Sequence, residues 1–282
     1  MDAYIISYFG KKPEARKIRY GLHYQQLVGL LEQPGIEDIY VLAMDYDSGS
    51  ITLPANTLKF PHPRIHYWDS ELVPPSQARN KLMKIFNETS KPWGLFADND
   101  ALIDPRHDGR EIVNIIERNL TILNRECDLL VPLCPMVHPF NDYLEKYHLR
   151  IPTETPVERN TWMKGSLFFL KNKTAMGDEP IYFNEEMTTM EDAEYIPRLL
   201  SKGCSSWLLR SVLLTDMGIH DSTLFSTDKK DNATRVDDMA ISHKKMYEMY
   251  RDSGCKWNEK TNRIILKEMM PKLGDKTLWL DK

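Results

Sequence analysis

Asp98 and Asp100 lie one residue apart at the end of an apolar run of strand length, Trp93-Gly94-Leu95-Phe96-Ala97. Alternate residues of a strand share a face, so the two carboxylates are expected to point the same way. Like charges that close are costly without a cation between them. A hard divalent ion takes oxygen ligands and leaves positions for substrate phosphates. The pair is therefore a candidate metal-diphosphate site at a strand end, although a polar turn after a buried strand would carry the same letters.

Other residues of useful chemistry fall at comparable places. Ser7, Asp45 and Asp69 each close an apolar run, over residues 3–8, 39–43 and 65–68. Ligands of open α/β sheets bind beyond the carboxyl ends of strands, so these residues and the aspartate pair are expected along one edge. Arg79 and Asn80 stand early in a helix predicted over 77–87. A helix N-terminus favours anions and arginine offers a planar fork of donors, which suits a base or phosphate of a nucleotide; a solvated helix turn is the plain alternative. Lys164 and Gly165 precede a strand predicted over 166–170, where Gly allows close backbone approach and Lys supplies a point charge. Trp162 beside them could cover a sugar face or plug the core. Glu191 and Asp192 fall near the start of a helix predicted over 184–202. A carboxylate there could deprotonate a hydroxyl or stabilise positive charge on a sugar carbon, or simply complement the helix dipole. His220 follows the last long apolar strand, over 207–214, and an imidazole suits a third metal ligand.

These groups need a scaffold of strands and helices in alternation. A strand over 3–8, a helix over 13–32 with Ile18, Leu22, Leu27, Leu30 and Leu31 on one side, and a strand over 39–43 make a parallel crossover unit. Further helices are predicted over 108–124 and 143–149 and a strand over 128–132, and residues 151–165 read as a loop. The stretch from 226 onward is charge-rich, helical in pattern and mildly basic, interleaved with Tyr247, Tyr250 and Trp257. No internal repeat interrupts the chain.

The 282 residues suit one large α/β domain or two small ones, and 41% hydrophobic with 28% charged residues describes a folded chain. A net charge of -4 advertises no global affinity for nucleic acid, so any basic surface is local. Cys127, Cys134, Cys204 and Cys255 form no Cys-x-x-Cys pair and are expected as reduced thiols, mostly in the core. The chain opens on an apolar strand instead of a signal segment, and no apolar run approaches a membrane span. A cytoplasmic protein with no membrane partner is the expectation.

Taken in order, the strand-helix-strand start, the Ala78-Arg79-Asn80 helix, the strand ending Asp98-Asn99-Asp100, the Gly165 loop, the Glu191-Asp192 helix and His220 resemble the GT-A class of nucleotide-sugar glycosyltransferases. The resemblance covers residues 1–225. It implies a Rossmann-like α/β fold, a mixed sheet flanked by helices, with residues 226–282 as a C-terminal helical extension and possible acceptor-binding surface. It implies Mn²⁺ or Mg²⁺ held by Asp100, Asp98 and His220, and a UDP-sugar donor contacted by Ser7, Asp45, Asp69, Arg79, Asn80, Asp98, Lys164 and Gly165. Asp192, with Glu191 beside it, would sit by the reacting carbon.

A narrower likeness is carried by the chain's size and its Ile6-Ser7-Tyr8-Phe9-Gly10 start, which are similar to those of phage enzymes that glycosylate hydroxymethylcytosine in DNA. That implies double-stranded modified DNA as acceptor, a host-cytoplasm location, a base reached by extrusion from the duplex, and a tail that tracks phosphates and stacks bases. The acidic whole-chain charge opposes this, and the tail reads equally as helices packed on the sheet. A lipopolysaccharide or protein glycan is the alternative acceptor. Asp-x-Asp after an apolar strand also resembles haloacid-dehalogenase-type phosphotransferases, but there the motif opens the domain, and here Leu102 replaces an expected small hydroxyl residue or Val. A nucleotide-sugar-binding module without turnover is the non-catalytic alternative.

Overall fold

Asp2–Ser7 (β1) is buried along its whole length, as expected of a parallel strand covered on both faces. The chain continues through Pro13–Glu32 (α1), Ile39–Met44 (β2), Ile65–Ser70 (β3), Pro75–Asn87 (α2), Trp93–Asp98 (β4) and Ala101–Ile103 (β5). Ile112–Arg118 (α3), Leu120–Glu126 (α4), Leu129–Leu133 (β6), Thr155–Arg159 (β7) and Leu167–Lys171 (β8) follow. Glu191–Ser201 (α5), Ser206–Asp216 (β9), Lys229–Tyr250 (α6), Lys256–Asn258 (β10), Arg263–Ile265 (β11) and Leu278–Leu280 (β12) complete it. The computed structural model describes residues 1–9, 13–44, 58–103, 112–133, 155–159, 163, 165–187, 190–216, 229–266, 269 and 278–280.

One sheet runs β12-β7-β9-β6-β8-β4-β1-β2-β3, with β5 attached to β9. Strands β4, β1, β2 and β3 form a parallel block, and β4 meets β8 antiparallel, so the sheet is mixed. Strand parity divides the core. Ala3 and Ile5 of β1 and Trp93, Leu95 and Ala97 of β4 face the layer of α1, α3 and α4. Tyr4, Ile6 and Phe96 face the layer of α2, α5 and α6. Aromatic rings tie that second face together, with Phe96 stacked on Tyr4 at 5.0 Å and on Phe168 at 5.3 Å. Gly94 lies on this face because a Cβ there would stand 2.8 Å from the Phe86 ring of α2.

Several expected elements differ. Ile18 is 54% exposed, so the apolar side of α1 begins at Leu22 and continues through Leu27 and Leu30. Helix α5 starts at Glu191, not near 184, and side chains of α2 and α5 hold the segment over 181–183 instead. Phe183 exchanges two hydrogen bonds with the Asn80 side chain, at 2.8 and 3.0 Å, and the Tyr195 hydroxyl donates to Ile181 O at 2.7 Å. Asn119 interrupts the helix expected over 108–124, its side chain folding back on Ile115 O at 2.9 Å. Residues 155–159 form a strand, not a loop, between β12 and β9. Among its described residues the tail holds one long helix and then three short strands, two in a hairpin and the last paired with β7. Its helix is anchored by Tyr250, whose hydroxyl donates to the fully buried Glu194 of α5, a carboxylate that Arg198 also holds at 3.0 Å.

Cys127, Cys204 and Cys255 are buried free thiols; Cys134 lies outside the described residues, as does the helix expected over 143–149. Among the described residues no helix is long and apolar enough to cross a membrane.

His23 on α1 is 1% exposed, with its ring 5.8 Å from that of Phe9. Burial lowers its pKa to about 4, and the neighbouring Gln26 opposes the shift only in part. The unfolded chain takes up this proton near pH 6.5 and the folded chain only near 4, so the group's contribution is complete above 6.5 and is lost as pH falls. Roughly 2 kcal/mol should go between pH 7.5 and 5. A His23→Leu variant, followed by urea midpoints at both pH values, is expected to lose about 2 kcal/mol less than the wild type over that span. Equal losses would contradict the assignment.

Candidate active site at the carboxyl edge of the parallel block

Register sets the edge. Ile6 of β1 pairs with Asp98, Ser7 with Ala43, and Ala43 with Asp69, so the four neighbouring strands β4, β1, β2 and β3 end together. Asp98 has the parity of Phe96 and so faces α2 and α5. β4 stops there, and Asn99 and Asp100 turn the chain into β5. The turn cancels the alternation that was expected to put both aspartates on one face. Asp100 meets Arg19 of α1, from the other helix layer, at 3.4 Å. Asn99 ties the turn to the end of β1 by donating to Ser7 Oγ at 3.4 Å and Tyr8 O at 3.2 Å.

The centre of the cluster is Arg79, buried on α2. One guanidinium nitrogen donates to Glu191 at the start of α5. The other donates to Gly165 O at 3.1 Å and faces Asp98 Oδ1 at 3.4 Å. Gly165 in turn donates its N–H to Asp192 Oδ2 at 2.9 Å. Arg79 therefore joins α2, β4, the strand-entry turn before β8, and α5. Its Cζ also lies 5.4 Å from the Phe183 ring centroid. The N-cap of α5, Met190, has φ 58°, a left-handed conformation that turns the chain so that Glu191 and Asp192 open the helix here.

Charge is unevenly matched. Asp98, Asp100, Glu191 and Asp192 face Arg79 and Arg19, so these six groups carry an excess of two negative charges when ionised. Burial raises the Asp98 pKa to about 7, Asp100, Glu191 and Asp192 add to the rise, and Arg79 opposes it. Burial likewise raises Asp192, with Glu191 adding, against Arg79 and the N–H groups of Gly165 and Ala193. Burial works against the Arg79 charge, but Asp98, Glu191 and Asp192 more than offset it and hold the guanidinium protonated. The Asp98 side chain is 35% exposed against 5% for Arg79 and 11% for Glu191, so Asp98 is the group of the three that a ligand reaches.

A divalent ion fits this charge excess and the hard oxygen donors of Asp98 and Asp100. Among the described residues no three His, Cys, Asp or Glu side chains converge as a metal shell. His220, Asp45 and Lys164 lie outside the described residues. β5 pairs with β9 so that Ala101 opposes Asp216.

The other expected site residues are placed as follows. Ser7 is buried under the turn and accepts from Asn99. Asn80 donates to Phe183 O and to the Glu185 carboxylate, outside the Arg79 cluster. Asp69 reaches the same sheet edge but on the outermost strand, 62% exposed and 2.7 Å from Lys59. Sequence reasoning missed Arg19, Gln26 and Asn99. The signal was a stripe of buried polar residues, Arg16, Arg19, His23 and Gln26, at helical spacing along α1.

Gly165 has no room for a side chain. A Cβ would stand 2.6 Å from Arg79 Nη2 and 2.8 Å from Asp192 Cβ. The Arg79 tip is pinned by its carboxylates, and Asp192 Cβ moves only with α5. Gly165→Ala should cost about 1–3 kcal/mol as overpacking, read as a lower urea midpoint. An unchanged midpoint would mean that the joint between Arg79 and Asp192 is loose.

No family model matches the sequence, and no curated protein matches it. Solved structures overlap with part of the fold. A mannosyltransferase, PcManGT from Pyrobaculum calidifontis, in complex with GDP-Man and Mn²⁺, superposes with a TM-score of 0.49 at 12% identity, over 76% of this chain and 55% of that one. GalNAc-T7 with UDP, GalNAc and Mn²⁺ gives 0.47 at 11%, over 76% and 42%. TarS from S. aureus, residues 1–349, gives 0.44 at 12%, over 75% and 59%. The chain thus spans about half the length of these proteins, and at TM-scores below 0.5 the overlaps say nothing of what it binds.

Proposed function

We propose that the chain is a metal-dependent glycosyltransferase of the GT-A class that uses a UDP-sugar. The observation that carries this is the set of four carboxylates against two guanidiniums at the carboxyl edge of a parallel block, with Asp98 the partly exposed member beside buried Arg79 and Glu191. Asp98 and Asp100, with His220, would hold Mn²⁺ or Mg²⁺. Such an ion, when bound, stabilises the charge of the departing nucleoside diphosphate as a Lewis acid.

The chain's own residues supply the rest. Arg79 opposes the rise of the Asp98 pKa and fixes α5 against β4. Gly165 holds Asp192 by its N–H. In an inverting reaction Asp192 would take the acceptor's proton, which its raised pKa favours; in a retaining one it would position the acceptor or stabilise the sugar carbon. The acceptor is assigned from sequence resemblance to hydroxymethylated or glucosylated DNA, ahead of a lipopolysaccharide or protein glycan.

The test is UDP release from a panel of UDP-sugars, with Mn²⁺ and with EDTA, with and without modified DNA. Metal-dependent release from one sugar, raised by modified DNA, is the expected result. Release indifferent to DNA would discard that acceptor. No release from any donor would overturn the glycosyltransferase assignment, and an aspartyl phosphate formed with a phosphorylated substrate would replace it with the phosphotransferase.

A further inference from the structure

The inward face of α1 is unusual. A helix packed on a sheet buries an apolar stripe, yet Arg16, Arg19, His23 and Gln26 are all buried along one side of α1. Buried polar side chains cost free energy unless they find partners. Gln26 finds two of a particular kind. Its Nε2 donates to Asp98 O at 2.7 Å and to Ala101 O at 2.7 Å. Both N–H groups of one primary amide are thus used, on the first and last carbonyls of the turn that carries Asn99 and Asp100. One face of the turn is laced to β1 by Asn99, and its backbone is clamped from α1 by Gln26. A neutral amide does this without adding charge to the carboxylates.

We propose that Gln26 is the positioning residue of the metal-diphosphate turn: by closing the backbone between Asp98 and Ala101 it fixes the relative placement of the Asp98 and Asp100 carboxylates and so sets affinity for a divalent ion. This rests on the proposal that the turn binds such an ion. Gln26 touches neither the ion nor the donor. Groups behind the ligands of a metal site commonly matter by about 10–100-fold in affinity.

The experiment is Mn²⁺ binding, followed by the paramagnetic resonance of the free ion, to the full chain and to its Gln26→Met and Gln26→Glu variants. Wild type should bind, and both variants should bind about 10–100-fold more weakly. Raising Mn²⁺ should restore turnover of Gln26→Met, which a general loss of folded protein would not allow. As a readout without substitution, the side-chain amide signals of Gln26 in wild type should shift on Mg²⁺ titration with the same saturation as the backbone amides of Asn99 and Asp100. No Mn²⁺ binding by wild type would overturn the metal site itself. Binding by wild type with variants within twofold of it, or turn amides that shift while the Gln26 amide stays still, would overturn the role of Gln26 alone.

Discussion

Asp100→Asn is expected to fold and to lose about 10²–10³ in metal-dependent turnover, the usual loss when one electrostatic stabiliser is removed from a site. The asparagine keeps the side chain's shape and an oxygen acceptor toward Arg19, which lies 3.4 Å from the native carboxylate. What it removes is one of the four negative charges that make the cluster a fit for a divalent ion. Circular dichroism and a urea midpoint close to wild type should accompany the loss, since Arg19 also donates to Tyr8 O at 3.0 Å and keeps that anchor. Full activity in Asp100→Asn would remove the turn from the chemistry.

Arg79→Met has the opposite profile, with stability as its first casualty. Methionine fills much of the same volume but leaves Asp98, Glu191 and Gly165 O without the guanidinium that now meets all three. Removing one partner from a buried ionic group typically costs about 3–5 kcal/mol, because the remaining charges are left uncompensated. The loss should be larger at pH 8 than at pH 6. Asp98, already raised to about 7, would rise further without Arg79. Its contribution to stability is present below its ordinary value near 3.8 and is lost as pH climbs through the folded value. Adding Glu191→Gln to Arg79→Met should recover part of the loss, since it deletes one of the stranded charges. Urea midpoints of the single and double variants at both pH values check this. A single variant within about 1 kcal/mol of wild type would show that solvent, not Arg79, compensates the cluster.

The parts of the site that sit at strand ends were legible because a buried strand announces itself as an apolar run, and Ser7, Asp69 and Asp98 each close one. Register then confirms that they share an edge. Sharing an edge did not make them neighbours: Asp69 lies on β3, separated from β4 by β1 and β2, and pairs with Lys59. The two-residue period failed at Asp100 because a strand's alternation ends where its pairing ends, and the sequence does not mark that Asn99 already belongs to a turn. Arg79 was visible as a helix-start cation. Its contacts with Asp98, Gly165 and Glu191, spread across the chain, depend on packing that no local pattern encodes. The α1 stripe was hidden for a related reason: counting only its leucines finds a helix and overlooks that Gln26 and Arg19 lie buried on the same element. The short strands β10, β11 and β12 have too few residues for a period to show, and their charged and turn-forming neighbours read as helix or loop.

The most direct test of the central claim is calorimetric binding of UDP to the wild type and to Asp100→Asn, each with Mn²⁺ and with EDTA. Wild type is predicted to bind UDP at least about tenfold more tightly with Mn²⁺ than with EDTA, and Asp100→Asn to show no such gain. Binding that is equally tight in EDTA, or a Mn²⁺ gain that survives Asp100→Asn intact, would contradict a metal-diphosphate site at this turn.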